Sequence, residues 1–114
     1  MTIDTVAIEN IRRIGGDALL NRMISVYINY SKEQMQEMID HYTNQEIKEM
    51  GRSAHALKSS SANFGAQRLV DLCADIENRA QTLELDNIKD QISEAQLEMI
   101  RVINELENLL QVHS

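Results

Sequence analysis

His55 stands among small and basic residues in the stretch 51–69, GRSAHALKSSSANFGAQRL. On a helix, residues three and four positions apart are neighbours. The helical neighbours of His55 are Gly51, Arg52, Lys58, Ser59 and, two turns on, Ala62. A histidine that only packs in a core needs no small neighbours, whereas one that must contact another macromolecule does. The pattern therefore predicts an accessible imidazole on a docking surface.

An exposed imidazole beside cations suits phosphoryl chemistry. A neutral ring nitrogen is a nucleophile that can form a covalent intermediate. Nearby cations disfavour the charged imidazolium, so we expect His55 to stay neutral. The same cations favour a doubly charged phosphoryl group, and Lys58 lies one turn away. At ~4 Å and an effective dielectric of ~20, one charge pair contributes about 4 kcal/mol, and less at a surface.

Several other kinds of site have no pattern in the sequence. There is no glycine-rich phosphate loop, no aspartate obviously placed to orient His55, and no histidine pair with metal-site spacing. Glu37 and His41 are four residues apart, but a metal needs three or four ligands, so we expect a surface contact. The phosphoryl donor and any Mg²⁺ must then come from a second protein. Cys73 is expected to be inert core, and His113 to have no role.

The composition favours a small helical protein with an acidic surface. The chain has 114 residues, no proline and four glycines, which suits long helices. Its net charge is −7, but residues 47–70 carry +3 and the rest −10, so His55 lies in the one basic zone. Lys48 and Arg68 are expected to be solvated, with a possible steering role. The acidic balance argues against nucleic-acid binding.

Neither a signal peptide nor a membrane span is apparent. The N-terminus lacks a basic start followed by an apolar run, and no apolar stretch approaches ~20 residues. The single cysteine excludes an intrachain disulfide and fits a reducing compartment. We therefore expect a cytoplasmic protein that does not bind membranes.

Apolar residues recur at helical spacing almost throughout the chain. A short stripe, Ile3, Ala7, Ile11 and Ile14, ends at Gly15 and Gly16, and Asp17 is placed to cap the next helix. The core faces predicted for four longer helices are Leu20, Ile24, Tyr27, Ser31, Met35, Met38 and Tyr42; Ile47, Met50, Ala54, Leu57, Ser61 and Phe64; Leu69, Leu72, Cys73, Ile76, Ala80 and Leu83; and Ile88, Ile92, Ala95, Met99, Val102, Leu106 and Leu109.

The ends of these helices also have sequence signals. Thr43 and Glu46 have the spacing of a capping box, Gly65 is a plausible helix stop, and Asp86 is placed to cap the last helix. Short loops make successive helices antiparallel. We predict an all-α fold, an up-down antiparallel four-helix bundle with a short N-terminal capping helix, as one monomeric domain over residues 1–114.

The stretch AHALKSSSANFGAQRL resembles the signature of histidine-containing phosphotransfer (HPt) domains. The match covers His55, Lys58, Gly65 and Gln67, and the stretches IRRIGGDALLNRM and LCADIEN resemble the family as well. The resemblance implies a free-standing bacterial phosphorelay protein that exchanges phosphoryl groups with aspartates of receiver domains, on hybrid sensor kinases and response regulators. It further implies attack through Nε2 of His55, Mg²⁺ held by the receiver, and no cofactor on this chain. The residues expected on the docking surface are Gly51, Arg52, Ser59, Ala62, Gly65 and Gln67.

The sequence leaves four points open. Many family members have glycine after the lysine, and the Ser59 hydroxyl here could bond a helix carbonyl or reach the phosphoryl group. The chain could instead be the dimerisation and phosphoacceptor helix pair of a sensor kinase, although Ala56 follows the histidine where an acidic residue is usual. It could also be a non-catalytic helical adaptor. Arg52 could be a plain solubilising charge.

Overall fold

Four helices form the fold of the computed structural model, which describes residues 1–113 and the side chains of residues 1–110. They are α1 (Thr5–Thr43), α2 (Ile47–Ala62), α3 (Gln67–Thr82) and α4 (Ile88–His113). Each helix packs against two neighbours, α1 against α2 and α4, and α3 against α2 and α4. The described residues thus form the predicted up-down bundle and contain no strand. No helix among them has the length and apolar character needed to span a membrane.

The predicted N-terminal helix and the first long helix form one element with a break inside it. Gly16 interrupts α1 with φ 69° and ψ −169°, a conformation that glycine adopts readily. The stripe of the short helix is partly wrong, because Ile8 is buried while Ile14 is 81% exposed. Three residues of a helix turn through about 300°, which is about 60° short of a full turn. Ile14 follows Ile8 by two such steps, so the two side chains point about 120° apart around the helix axis.

The core consists of the apolar stripes of all four helices. In α4 the predicted seam is buried from Ile88 to Leu106, and Leu109 packs against its edge. Two serines predicted on core faces are buried with hydrogen-bond partners. The Ser61 hydroxyl lies 2.7 Å from that of Tyr27, and Ser31 donates to the carbonyl of Ile28. These hydrogen bonds allow polar groups to lie in the core without an unsatisfied donor.

The predicted capping box between α1 and α2 is wrong. Thr43 is the last residue of α1, and its hydroxyl donates to the carbonyl of Ile39 at 2.9 Å. Gln45 then adopts a left-handed conformation with φ 63°, which turns the chain before α2 begins. Glu46 precedes α2 without capping it and instead contacts Nδ1 of His41 at 3.1 Å.

Gly65, predicted to stop the second long helix, lies in the turn that follows the last residue of α2, Ala62. Its φ is +63°, and its N–H donates to the carbonyl of Ala62 at 3.0 Å. A Cβ here would collide with Cβ of Asp4, whose N–H donates to the carbonyl of Phe64 at 3.0 Å. The N-terminal segment therefore packs directly over this turn, and only glycine leaves room for it.

The turn between α3 and α4 differs from the prediction at two residues. Leu83, expected in the buried stripe of α3, follows the last helical residue and is 69% exposed. The last helix begins at Ile88, directly after Asn87, so Asp86 lies too early to occupy the capping position. The backbone carbonyl of Asp86 accepts a hydrogen bond from Arg79 Nη1 at 2.7 Å, which helps to hold the turn.

Candidate functional site

His55 lies near the middle of α2, beside the stripe that packs into the core. Its neighbours Ala54 and Leu57 are fully buried, whereas the His55 side chain is 58% exposed. Successive helical residues are about 100° apart, which places His55 at the border between core and solvent. The base of the ring is supported by the helix, and a second molecule can reach the rest of it, as predicted.

A carboxylate from α3 contacts both functional residues of α2. Oε2 of Glu77 lies 2.6 Å from Nδ1 of His55, and Oε1 lies 2.6 Å from Nζ of Lys58. Glu77 is only 19% exposed and Lys58 only 28%, so the contact between these two side chains is partly shielded from water. These short distances are typical of charge-assisted hydrogen bonds.

Glu77 fixes which ring nitrogen is available. Burial alone would raise the pKa of Glu77, but its hydrogen bonds to Lys58 and His55 and their charges outweigh burial and lower that pKa. The ionised carboxylate can only accept hydrogen bonds, so Nδ1 of His55 must donate. In the neutral ring the lone pair then lies on Nε2, on the side away from Glu77. The geometry thus prepares Nε2 as a nucleophile.

The sequence-based view of the site needs two corrections. The sequence shows no aspartate obviously placed to orient His55, yet the carboxylate of Glu77 does so from 22 residues further along the chain. Lys58, expected to direct its charge toward a phosphoryl group on His55, is also ion-paired with that same carboxylate. The charge around His55 is therefore more balanced than the basic stretch of α2 suggested. Glu77 lies within the stretch LCADIEN, which the resemblance had included without giving any residue in it a role.

An open groove of about 510 Å³ runs beside His55 between the start of α2 and the end of α3. We call it the His55 groove, and its lining residues are Lys48, Gly51, Arg52, His55, Glu77, Ala80, Gln81 and Leu83. Gly51 is buried, and a Cβ added there would lie 2.9 Å from Cβ of Ala80. The small residue at position 51 thus also allows α2 and α3 to approach closely.

The other predicted docking residues fall into two groups. Arg52, Ser59 and Ala62 are exposed on the His55 side of α2, and the Ser59 hydroxyl has no hydrogen bond among the described residues. Gly65 and Gln67 lie beyond the end of α2, where Gln67 Nε2 donates to Asp71 at 2.8 Å. The structure therefore brings the first group together with His55 and separates the second from it. Docking by either group stays a prediction.

The other candidate reactive side chains that the structure describes are either paired with a carboxylate or buried. Cys73 is fully buried, and burial raises its pKa to about 12 although the charge of Lys58 opposes this. It is therefore not a nucleophile near neutral pH. His41 contacts Glu46, not the predicted Glu37. The side chain of His113 lies outside the described residues.

The remaining predictions concern metal ligands and two basic residues, Lys48 and Arg68. Within residues 1–110, no group of three or more His, Cys, Asp or Glu side chains could hold a metal ion. Lys48 is exposed, as expected. Arg68 is exposed too, but it contacts Glu94 at 3.3 Å and Glu98 at 3.6 Å on α4.

Comparisons with known proteins identify the family of this chain. The family model of the Hpt domain matches residues 22–112. A search of curated proteins found no significant match. Among solved structures, the crystal structure of histidine-containing phosphotransfer protein B from Pseudomonas aeruginosa is similar, with a TM-score of 0.91 and 19% identity over 96% of this chain and 95% of that one. Because the family model covers well over half of the sequence, the chain belongs to the Hpt domain family and serves as a histidine phosphotransfer protein in a two-component phosphorelay.

Proposed function

We propose that His55 accepts a phosphoryl group from the aspartate of one receiver domain and passes it to the aspartate of another. The observation that carries this proposal is the contact of Nδ1 with the ionised Glu77 at 2.6 Å on a ring that is 58% exposed. It leaves a nucleophilic nitrogen within reach of a partner. The first receiver belongs to a hybrid sensor kinase and the second to a response regulator.

The transfer needs no proton to move. The Nε2 lone pair attacks phosphorus, a N–P bond forms, and the O–P bond of the aspartyl phosphate breaks to release the carboxylate. The proton on Nδ1 stays in its hydrogen bond to Glu77. The ring becomes cationic as the bond forms, and the carboxylate beside it neutralises this charge. The reverse of these steps delivers the group to the second receiver.

Lys58 stabilises the phosphoryl group on the imidazole. An ammonium has three donors, and Glu77 accepts from one of them at 2.6 Å. The other two are free to bond phosphoryl oxygens one turn along the helix from His55. The contact to Glu77 also restricts the long side chain before the phosphoryl group arrives, so less conformational entropy is lost when it binds.

The partner supplies the rest of the chemistry. Phosphoryl transfer proceeds through a loose, in-line transition state, so catalysis is mostly positioning and charge neutralisation. The receiver provides the aspartate and Mg²⁺, and this chain provides His55, Glu77 and Lys58 without a cofactor of its own. We place the exchange in the cytoplasm, with this protein as a monomer. Four helices from one chain already enclose the core, so a second copy is not needed to complete the bundle.

Site mapping tests the proposal directly. The protein is incubated with a ³²P-labelled phosphorylated receiver and Mg²⁺, and the modified residue is identified by mass spectrometry. We expect acid-labile label on His55 alone, and none in His55→Gln. His41→Gln is the matched control, because its ring also contacts a glutamate, and it should label normally. Acid-stable label, or label that persists in His55→Gln, refutes the proposal.

A further inference from the structure

Leu83 combines two unfavourable features at the end of α3. It is a large apolar side chain that is 69% exposed, and its backbone is left-handed with φ 59° and ψ 30°. Glycine or asparagine is usual at such a helix end, because a left-handed conformation is sterically unfavourable for other residues. Neither feature helps the isolated protein. A position that exposes an apolar side chain and also has a backbone conformation its residue type disfavours often has a function.

Leu83 also shares the His55 groove with the phosphoacceptor. The groove has small apolar residues at Gly51 and Ala80, Leu83 at one end and His55 beside Glu77 at the other. Lys48 and Arg52 also line it and are exposed, and neither forms an ion pair within the described part of the chain. The surface therefore continues from the reactive ring as an apolar strip with free positive charges.

We propose that Leu83, which lines the His55 groove, contacts the docked receiver and helps to determine which receivers are accepted. The inference rests on the proposed function, because a domain that brings its aspartyl phosphate to His55 must cover the surface next to it. A receiver site that holds Mg²⁺ does so largely with carboxylates, so its rim is acidic and complements Lys48 and Arg52. The accepted receiver presents an apolar side chain to Leu83 beside that acidic rim.

Leu83→Asn separates docking from folding. Asparagine tolerates the left-handed conformation better than leucine, so the melting temperature should stay the same or rise. The variant is phosphorylated on His55 with phosphoramidate, desalted, and mixed with Mg²⁺ and each purified receiver domain of the source cell. We expect normal labelling by phosphoramidate and at least a fivefold lower second-order rate constant for transfer to the preferred receiver. Saturating receiver should restore most of the rate, because docking is lost and not the chemistry.

Leu97→Asn is the matched control. Leu97 is a 50% exposed leucine on α4 that does not line the groove, so transfer should match the parent. Parental transfer from Leu83→Asn to every receiver overturns the proposal. Slower labelling by phosphoramidate also overturns it, because Leu83 would then act on the ring itself. If even the parent transfers to no receiver, the proposed function fails as well, and the parent measurement identifies that case.

Discussion

Replacing Glu77 by glutamine should impair transfer more than removing the side chain altogether. Lys58 can only donate, so the amide oxygen of the new side chain must face it. The amide NH₂ then faces Nδ1 of His55, which has to accept. The proton moves to Nε2, and the lone pair that attacks phosphorus is lost. Glu77→Ala leaves no partner at Nδ1 and therefore imposes neither tautomer.

The size of the effect follows from two hydrogen bonds. The parent has a charged bond that favours the reactive tautomer by about 2 kcal/mol, and the amide forms a neutral bond that favours the other by about 1 kcal/mol. Exchanging one bond for the other shifts the tautomer equilibrium by about 3 kcal/mol, and the reactive fraction falls from nearly one in the parent to about one sixth in the variant. The variant also lacks the carboxylate charge that neutralises the cationic ring, and water competes at a ring that is 58% exposed, so we expect transfer to slow by about 10-fold.

Two measurements test this reasoning. Nitrogen-15 NMR of labelled histidine reports the tautomer, which should be Nδ1–H in the parent, Nε2–H in Glu77→Gln and mixed in Glu77→Ala. Single-turnover transfer from phosphoramidate-labelled protein to a receiver reports the rate. The control is Glu94→Gln, because Glu94 also pairs with a cation, Arg68 at 3.3 Å, but lies on α4. It should change neither measurement.

The order of the variants decides the outcome. If Glu77→Gln transfers faster than Glu77→Ala, or keeps the proton on Nδ1, then Lys58 does not orient the amide and the argument is wrong. If both variants transfer at the parental rate, Glu77 does not prepare the imidazole at all. Circular dichroism of each variant must first show the helical content of the parent.

Four further predictions concern Lys58, ATP binding, Ala62 and the pH dependence of stability. Lys58→Ala should keep the fold but slow transfer or shorten the lifetime of the phosphohistidine, and equal values in both proteins would make Lys58 a bystander. Titration calorimetry with Mg-ATP should show no binding, and a micromolar affinity would favour a kinase. Ala62→Tyr should keep the melting temperature but slow transfer to a receiver at least tenfold, about 1.4 kcal/mol, while phosphoramidate still labels His55; parental transfer would remove Ala62 from the docking surface. Because the pKa of Glu77 is lowered in the folded state, its stabilisation is complete above its ordinary value of 4.5 and is lost as the pH falls through the lowered pKa. The urea stability of the parent should therefore exceed that of Glu77→Gln at pH 7 and converge with it as the pH falls from 4.5 through the lowered pKa of Glu77, and a constant difference would contradict this.

The fold was predictable because burial follows the helical period over long stretches. The seam of α4 matched the structure since seven apolar positions in steps of three and four define one face whatever packs on it. Helix ends were less predictable, because they depend on single backbone conformations. Gln45, Leu83 and Asn87 all adopt positive φ without being glycine, and no residue pattern indicated this.

The site was only half predictable for a related reason. His55 and Lys58 lie on one helix, so their spacing alone places them together. Glu77 comes from another helix, and its contact depends on the register of α2 against α3, which periodicity does not specify. That register depends in turn on the close approach of Gly51 to Ala80, a packing detail of two small residues.

The small residues around His55 therefore do not all have the same cause. Gly51 is required by the packing of α2 on α3, since a Cβ there would lie 2.9 Å from that of Ala80, and Gly65 is required by the segment at Asp4. Both positions would therefore need glycine even in a helical bundle that binds no partner. Ser59 and Ala62 are exposed, and no contact within the described residues limits their size. The docking explanation for the small residues thus depends on these two positions, and a larger side chain at Ala62 tests it without disturbing the packing that positions Glu77.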